Sequence, residues 1–190
     1  AQSFTPSGFS RTPTASGYFA IGRIDYDDFL ADGHQTRVRL SKSIGKWATA
    51  SIHSMDLETG HHFRLLQDHN LAIRAQVAAT SSQTLQDLYF LGGLESIRGY
   101  LDGQFSGDSY WLLNSEYRIP SFQHPWIVIQ HAAFIDLLQM THLPGLFYSL
   151  GTGIRLLCPK IYRLAVRFDY AFHFRPDFGH GISFGLSQFY

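Results

Sequence analysis

A single cysteine, Cys158, in a chain of 190 residues excludes an internal disulfide framework. It stands in "LLCPK" beside an expected turn and reads as an unpaired thiol rather than a nucleophile or a ligand. Charge is also scarce: Asp, Glu, Lys and Arg make up 16% of the chain and sum to a formal net charge of +0. That excludes the basic footprint of a nucleic-acid binder and a disordered charged tail. No uninterrupted apolar run approaches the roughly 18 residues of a spanning helix, so a helical membrane protein is not expected. No segment carries a helical period of 3.6 residues. No basic and apolar leader opens at Ala1, and the numbering is expected to be that of a mature chain.

What the sequence does have is rings, 15% of all residues, and a persistent period of two. Residues 1–17, rich in Ser, Thr, Pro and Gly, are expected to be an extended lead-in, and residues 18–190 one domain. "YFAIGRIDYDDFL" is expected to end at a turn "ADGH". "QTRVRLSKSI" then sets Thr36, Val38 and Leu40 against Arg37, Arg39 and Ser41. "WATASIHSM" alternates weakly, and "ETGHHFRLLQDH" is open between a hairpin of its own and an extension of a neighbouring strand. From Asn70 the alternation sharpens, with Leu71, Ile73, Ala75, Val77 and Ala79 opposite Arg74 and Gln76.

Four further segments follow the same rule. "DSYWLLNSEYRIP" sets Trp111, Leu113, Tyr117 and Ile119 against Asn114, Glu116 and Arg118, before an expected turn at "SFQHP". "WIVIQHAAFID" sets Ile127, Ile129, Ala133 and Ile135 against Gln130 and Asp136, with His131 on the apolar side. "FYSLGTGIRLL" and "IYRLAVRFDYAF" place Arg155, Arg163, Arg167 and Asp169 opposite Tyr148, Tyr162, Phe168 and Phe172. The chain closes on "GISFGLSQFY". The sum is an all-β, antiparallel chain of about 8–10 strands.

Alternation alone is shared by a soluble sandwich, apolar face inward, and a transmembrane barrel, apolar face outward. The composition of the two faces favours the barrel. The polar faces mix Arg74, Glu116, Arg118, Asp136, Arg155, Arg163, Arg167 and Asp169 with Gly and Ser, which suits an interior that neutralises itself. The apolar faces end in rings, among them Trp111, Tyr117, Tyr148, Tyr162 and Tyr170, as interfacial girdles do.

The connection "LGGLESIRGY" is no ordinary loop. It gathers Gly92, Gly93 and Gly99 around one guanidinium, Arg98, and ends on the ring of Tyr100. With "SGDSYWLLNSEYRIP" after it, it resembles the BamA/TamA outer-membrane assembly superfamily, which includes two-partner secretion transporters and patatin-like autotransporter barrels. The resemblance spans about Asp25 to Tyr190. Its most specific part is the order Gly92-Gly93, Ser96, Arg98-Gly99-Tyr100, a later Gly-Asp, then the strand with "EYR".

The resemblance implies that this loop folds into the barrel and that Arg98 meets Asp136 and Glu116. The parity assigned above already puts both acids on one polar face, where a guanidinium fork can take them together. Tyr100 is expected to bury its ring, and Gly92, Gly93 and Gly99 to let the backbone turn against the wall. Leu137-Leu138 stand where the family has a glycine, so the docking there is expected to tighten or shift. "SFGLSQFY" looks like the C-terminal signal read by the barrel assembly machinery, carried by Gly185 and Tyr190; Gln188 departs from the usual apolar residue.

The full barrels of that family have about twice as many strands and carry periplasmic POTRA domains. The resemblance therefore implies a truncated barrel, without POTRA domains, in the outer membrane of a Gram-negative-type bacterium. Its expected role is to assist insertion or translocation of polypeptide or lipid, as a homodimer; the alternative is a small closed structural or pore-like barrel. Expected partners are outer-membrane lipid, the assembly machinery during biogenesis and a second copy of the chain, but no nucleic acid. The 10 histidines, His61-His62 among them, show no spacing with a third ligand for zinc. No Ser, His and acid fall in a recognisable catalytic motif. No cofactor, no metal and no enzymatic activity are expected.

Overall fold

A computed structural model describes residues 13–44, 52–66, 68–82, 85–161 and 165–186. Among these, the fold is all-β apart from one 3-10 turn, Leu85–Asp87, and no helix is long and apolar enough to cross a membrane. Nine strands form one antiparallel sheet in chain order: β1 (Thr14–Asp27), β2 (Leu30–Ser43), β3 (His53–Leu65), β4 (His69–Thr80), β7 (Ser109–His124), β8 (Ile127–Met140), β9 (Phe147–Leu157), β10 (Ala165–His173) and β11 (Gly179–Leu186). The remaining two, β5 (Tyr89–Leu91) and β6 (Phe105–Gly107), pair as a short ribbon at the base of the long connection between β4 and β7.

Among the described residues β1 and β11 are the two edges of the sheet and do not pair with one another. An even strand count belongs to a closed single-chain barrel, and among the described residues this nine-stranded sheet is open. It begins at Thr14, inside the expected lead-in, while residues 1–12 lie outside the described ones. So do Tyr162 and Arg163, expected on the two faces of β10.

The sheet is turned inside out relative to a soluble protein. Val77, Trp111, Ile135, Leu150, Ile154, Phe168 and Ile182 are exposed, while Arg74, Glu116, Gln130, Asp136, Arg155, Arg167 and Asp169 are buried. The alternation that makes the strands thus directs charge to the inner side of the curve and branched and aromatic side chains to the outer side.

Two local expectations change, and one open reading is settled. The first turn is at Asp28–Phe29 rather than "ADGH", and β2 runs straight through Gly33, whose φ is +108°. A Cβ at Gly33 would collide with the carbonyl oxygen of Arg23, so this glycine marks a close approach of two strands rather than a turn. "ETGHHFRL" is the second half of β3, which hairpins with β4. "SFQH" belongs to β7, because Pro120 lacks the ladder donor and the strand bulges between Pro120 and Phe122 before turning at Pro125-Trp126. The extra residue reverses the parity, leaving Phe122 opposite Ile129 and exposed.

Candidate functional site

The connection from β4 to β7 turns back along the inner face of the sheet. Its turn is built by positive φ at Gly92 (138°), Gly93 (77°) and Gly99 (90°), conformations that a side chain would strain. Ser96 staples it: its hydroxyl accepts from the Gly92 amide at 2.6 Å and donates to the Gly92 carbonyl at 2.9 Å. An apolar cluster then seats the loop, with Ile97, Tyr100 and Phe105 packed on Leu112, Leu138, Met140 and Phe147. Leu138, the second residue of the Leu137-Leu138 pair, is fully buried in this cluster and packs under the loop.

Arg98, 1% exposed, sits in the middle of this face. Its Nε and Nη2 donate to the two oxygens of Asp136 at 2.8 and 2.7 Å, its Nη1 donates to Glu116 at 2.6 Å, and its own amide reaches Asp136 at 3.0 Å. Such a two-point fork is among the stronger hydrogen-bonded pairs proteins make. Sequence parity placed both acids on the inner face, and β7 and β8 pair them within one step, Asn114 opposite Asp136.

The structure adds partners that the motif does not mention. Asp169 on β10 lies 3.7 Å from Nη1 of Arg98 and accepts from Arg155 at 2.6 Å, and Arg155 also donates to Glu116 at 2.8 Å. Arg118 holds the other oxygen of Glu116 at 2.7 Å. The ring of Phe134 lies under the guanidinium, 3.5 Å from its carbon, a cation–π contact. The sequence signal for Phe134 was its parity: it stands two residues before Asp136, on the same face of β8 as Asp136 and Gln130.

The face is not charge-neutral by side chains. Among the described residues five buried arginines, at 74, 98, 118, 155 and 167, meet three buried carboxylates, Glu116, Asp136 and Asp169. The loop backbone supplies what the acids do not. Arg167 donates to the Leu94 carbonyl at 2.7 Å, Arg74 to that of Glu95 at 2.6 Å, and Asn114 to that of Ser96 at 2.7 Å. The exposed carboxylate of Glu95 adds a bond to Arg167 at 2.9 Å.

Tyr100 closes the motif. Its ring packs edge-on to Phe105 at 4.9 Å and against His173 at 4.5 Å, and its hydroxyl donates to the Tyr148 carbonyl at 3.3 Å. Burial pushes the phenol up to about 12. Gly99 lies against Ala171 of β10, and Gly181 of β11 lies against Gly99, so a Cβ at position 181 would come within 2.8 Å of the Gly99 carbonyl oxygen. Gly185 faces Leu94 of the same loop; Tyr190 is outside the described residues. Among the described residues no three His, Cys, Asp or Glu side chains cluster as metal ligands would.

An Omp85 superfamily domain matches residues 16–190, from β1 through every strand of the sheet and the whole of the inserted loop. The chain belongs to the Omp85 superfamily. The match agrees with a barrel region of the BamA/TamA type, and the superfamily is one of assembly and translocation proteins in the outer membrane of Gram-negative bacteria. No curated protein matches the chain significantly. In this Omp85 domain the loop, the two acids and the third acid on β10 together tie β7, β8, β9 and β10 to one arginine.

Proposed function

We propose that the chain is a wall of an outer-membrane barrel that assists the insertion or translocation of polypeptide or lipid, with its free strand edges as the working part. The observation that carries this reading is the inverted sheet itself: buried ion pairs inside, branched and aromatic residues outside, and, among the described residues, the outer edges of β1 and β11 without a strand partner. An apolar outer face suits lipid, and unpaired strand edges do not, because nothing there replaces water as a hydrogen-bond partner. Edge-to-edge pairing of two copies into a composite barrel resolves this.

The rings on the outer face support a membrane-crossing band. Trp111 and Phe122 on β7 are eleven residues apart and both exposed; at about 3.4 Å per residue and a tilt of about 40° this spans about 28 Å, close to the apolar band of known barrels. Near the turns, Lys160 lies over the ring of Trp126 and His69 bonds to Tyr117, the mixed aromatic and basic character of an interface.

Native mass of the detergent-extracted protein, followed by proteoliposome insertion of a client barrel, tests the proposal. A dimer that accelerates insertion is the expected result; a monomer without effect on the client defeats it. The filled inner face favours a second reading, a structural barrel without translocase activity, and a dimer that leaves insertion unchanged selects it. No catalytic role is part of either reading.

A further inference from the structure

The first hairpin leaves the wall it belongs to. β2 pairs with β3 only as far as Gly33 opposite His62, whereas β3 continues with β4 to Leu65 opposite His69. Gly22 and Gly33, with φ of 88° and 108°, sit where the departure begins, each so close to the other strand that a Cβ would strike the carbonyl of His34 or Arg23. Beyond them the tip bends across the inner face. The Ala31 carbonyl accepts from Asn70 of β4 at 2.6 Å, and the Phe29 carbonyl accepts from Gln130 of β8 at 3.4 Å. The Phe29 ring packs on Val128, Leu157 and Ala165, on β8, β9 and β10.

We propose that residues 23–32 are a hinged plug that closes the turn end of the lumen and has to swing out before anything passes through it. The proposal rests on the barrel reading above. The tip has the two-sided character of a seal: Leu30 and Ala31 are buried, while Asp25, Asp27, Asp28 and Asp32 face outward and are exposed. A small void, about 20 Å³, lies under Phe29 and Ala31 and is lined by Arg118 and Arg155, the two arginines that also hold Glu116, while a wider recess of about 430 Å³ opens beside Asp28 and Phe29. Arg98 of the loop bonds Glu116 directly, while the hairpin tip lies beside the two arginines that hold the same carboxylate. Their anchors differ in kind: Arg98 is held by buried ion pairs, the tip by the neutral hydrogen bonds above, a ring and one solvent-exposed ion pair, Asp27 with Arg64 at 3.0 Å. Neutral bonds and solvent-exposed ion pairs are the weaker classes, so the tip is the end that opens first.

The test is thiol labelling with a charged, membrane-impermeant maleimide, with Cys158→Ser as background. Ala31→Cys is expected to react about ten- to a thousandfold more slowly than Asp32→Cys, the range for a site reached only through a minor open state. Gly33→Val, which strains the hinge, is expected to bring the rate at position 31 close to that at 32 while the folded band on unheated gels is retained. If Gly33→Val does not fold, Phe29→Ser, which removes the ring and leaves the backbone alone, takes its place. Equal labelling of positions 31 and 32 in the parent, or no acceleration in a folded hinge or ring variant, overturns the plug. Labelling in detergent micelles reads the plug alone, whereas failure of liposome insertion or of dimer formation counts only against the function proposed above.

Discussion

Arg98 is the residue on which the inner face depends, because all three of its guanidinium nitrogens are committed to buried acids. Arg98→Ala leaves Asp136 buried with the Asn114 amide at 2.8 Å as its remaining side-chain donor here, and Glu116 with Arg118 and Arg155. Breaking a buried pair on one side costs about 3–5 kcal/mol. The expected outcome is a lower thermal midpoint in detergent and new trypsin cleavage within the loop; unchanged values for both would contradict the lock. Arg98→Lys keeps the charge but cannot grip both oxygens of Asp136, and is expected to restore only part of the midpoint. Tyr100 gives a pH signature. Its phenol ionises near 10 in an unfolded chain and near 12 here, so the stability its neutral form contributes is complete below 10 and lost as pH rises through 12. Tyr100→Phe is expected to flatten the fall of the midpoint across that range, and an identical fall in both proteins would refute the assignment.

At the level of the element, the glycines of β11 are as constrained as those of the loop. Gly181→Val drives a branched side chain into the Gly99 backbone, where no flexible neighbour can yield. It is expected to release the loop to protease although Arg98, Glu116 and Asp136 are untouched; protection equal to the parent would show that β11 can move aside. These elements were legible in the sequence to different degrees. β4, β7 and β8 could be read because each keeps one polar face, and that face named Glu116 and Asp136 in advance. The first hairpin was misplaced because Gly33 is a turn residue by composition and a strand residue by contact, which sequence spacing does not distinguish. β7 ran on past Pro120 because a bulge absorbs the missing donor and resets the parity. Asp169 was assigned to the right face, but its approach to Arg98 depends on how far the sheet curls, and alternation carries no curvature.

For the whole molecule, the inner face is a basic surface solvated by its own loop. Five buried arginines against three carboxylates leave an excess of positive charge that the carbonyls of Leu94 and Glu95 help to offset. Shortening the connection by residues 92–100 removes those carbonyls together with Arg98, leaving four of the arginines against the three acids. The resulting pore is expected to favour anions in planar bilayers, read as the sign of the reversal potential in a salt gradient. Cation preference would mean that the acids, not the arginines, face the water. Strand number and inverted polarity were within reach of the sequence; the open edges were not, because alternation describes one strand and its neighbour and is silent on whether the last strand returns to the first.

The close fit of β10 and β11 over the loop also sets an order of events. The bond from Arg167 to the Leu94 carbonyl joins residues 73 apart, and Gly181 rests on Gly99 with no room for a chain to thread beneath it afterwards. Hairpins between neighbouring strands form early because their loops are short, whereas contacts of this span come late. The loop must therefore be lying on β7 and β8 before residues 165–186 cover it, as a latch is set before the door is shut. Refolding into detergent should show protection of β2, β3, β4, β7 and β8 first, with protection of the loop completed in the slow phase in which β10 and β11 close over it.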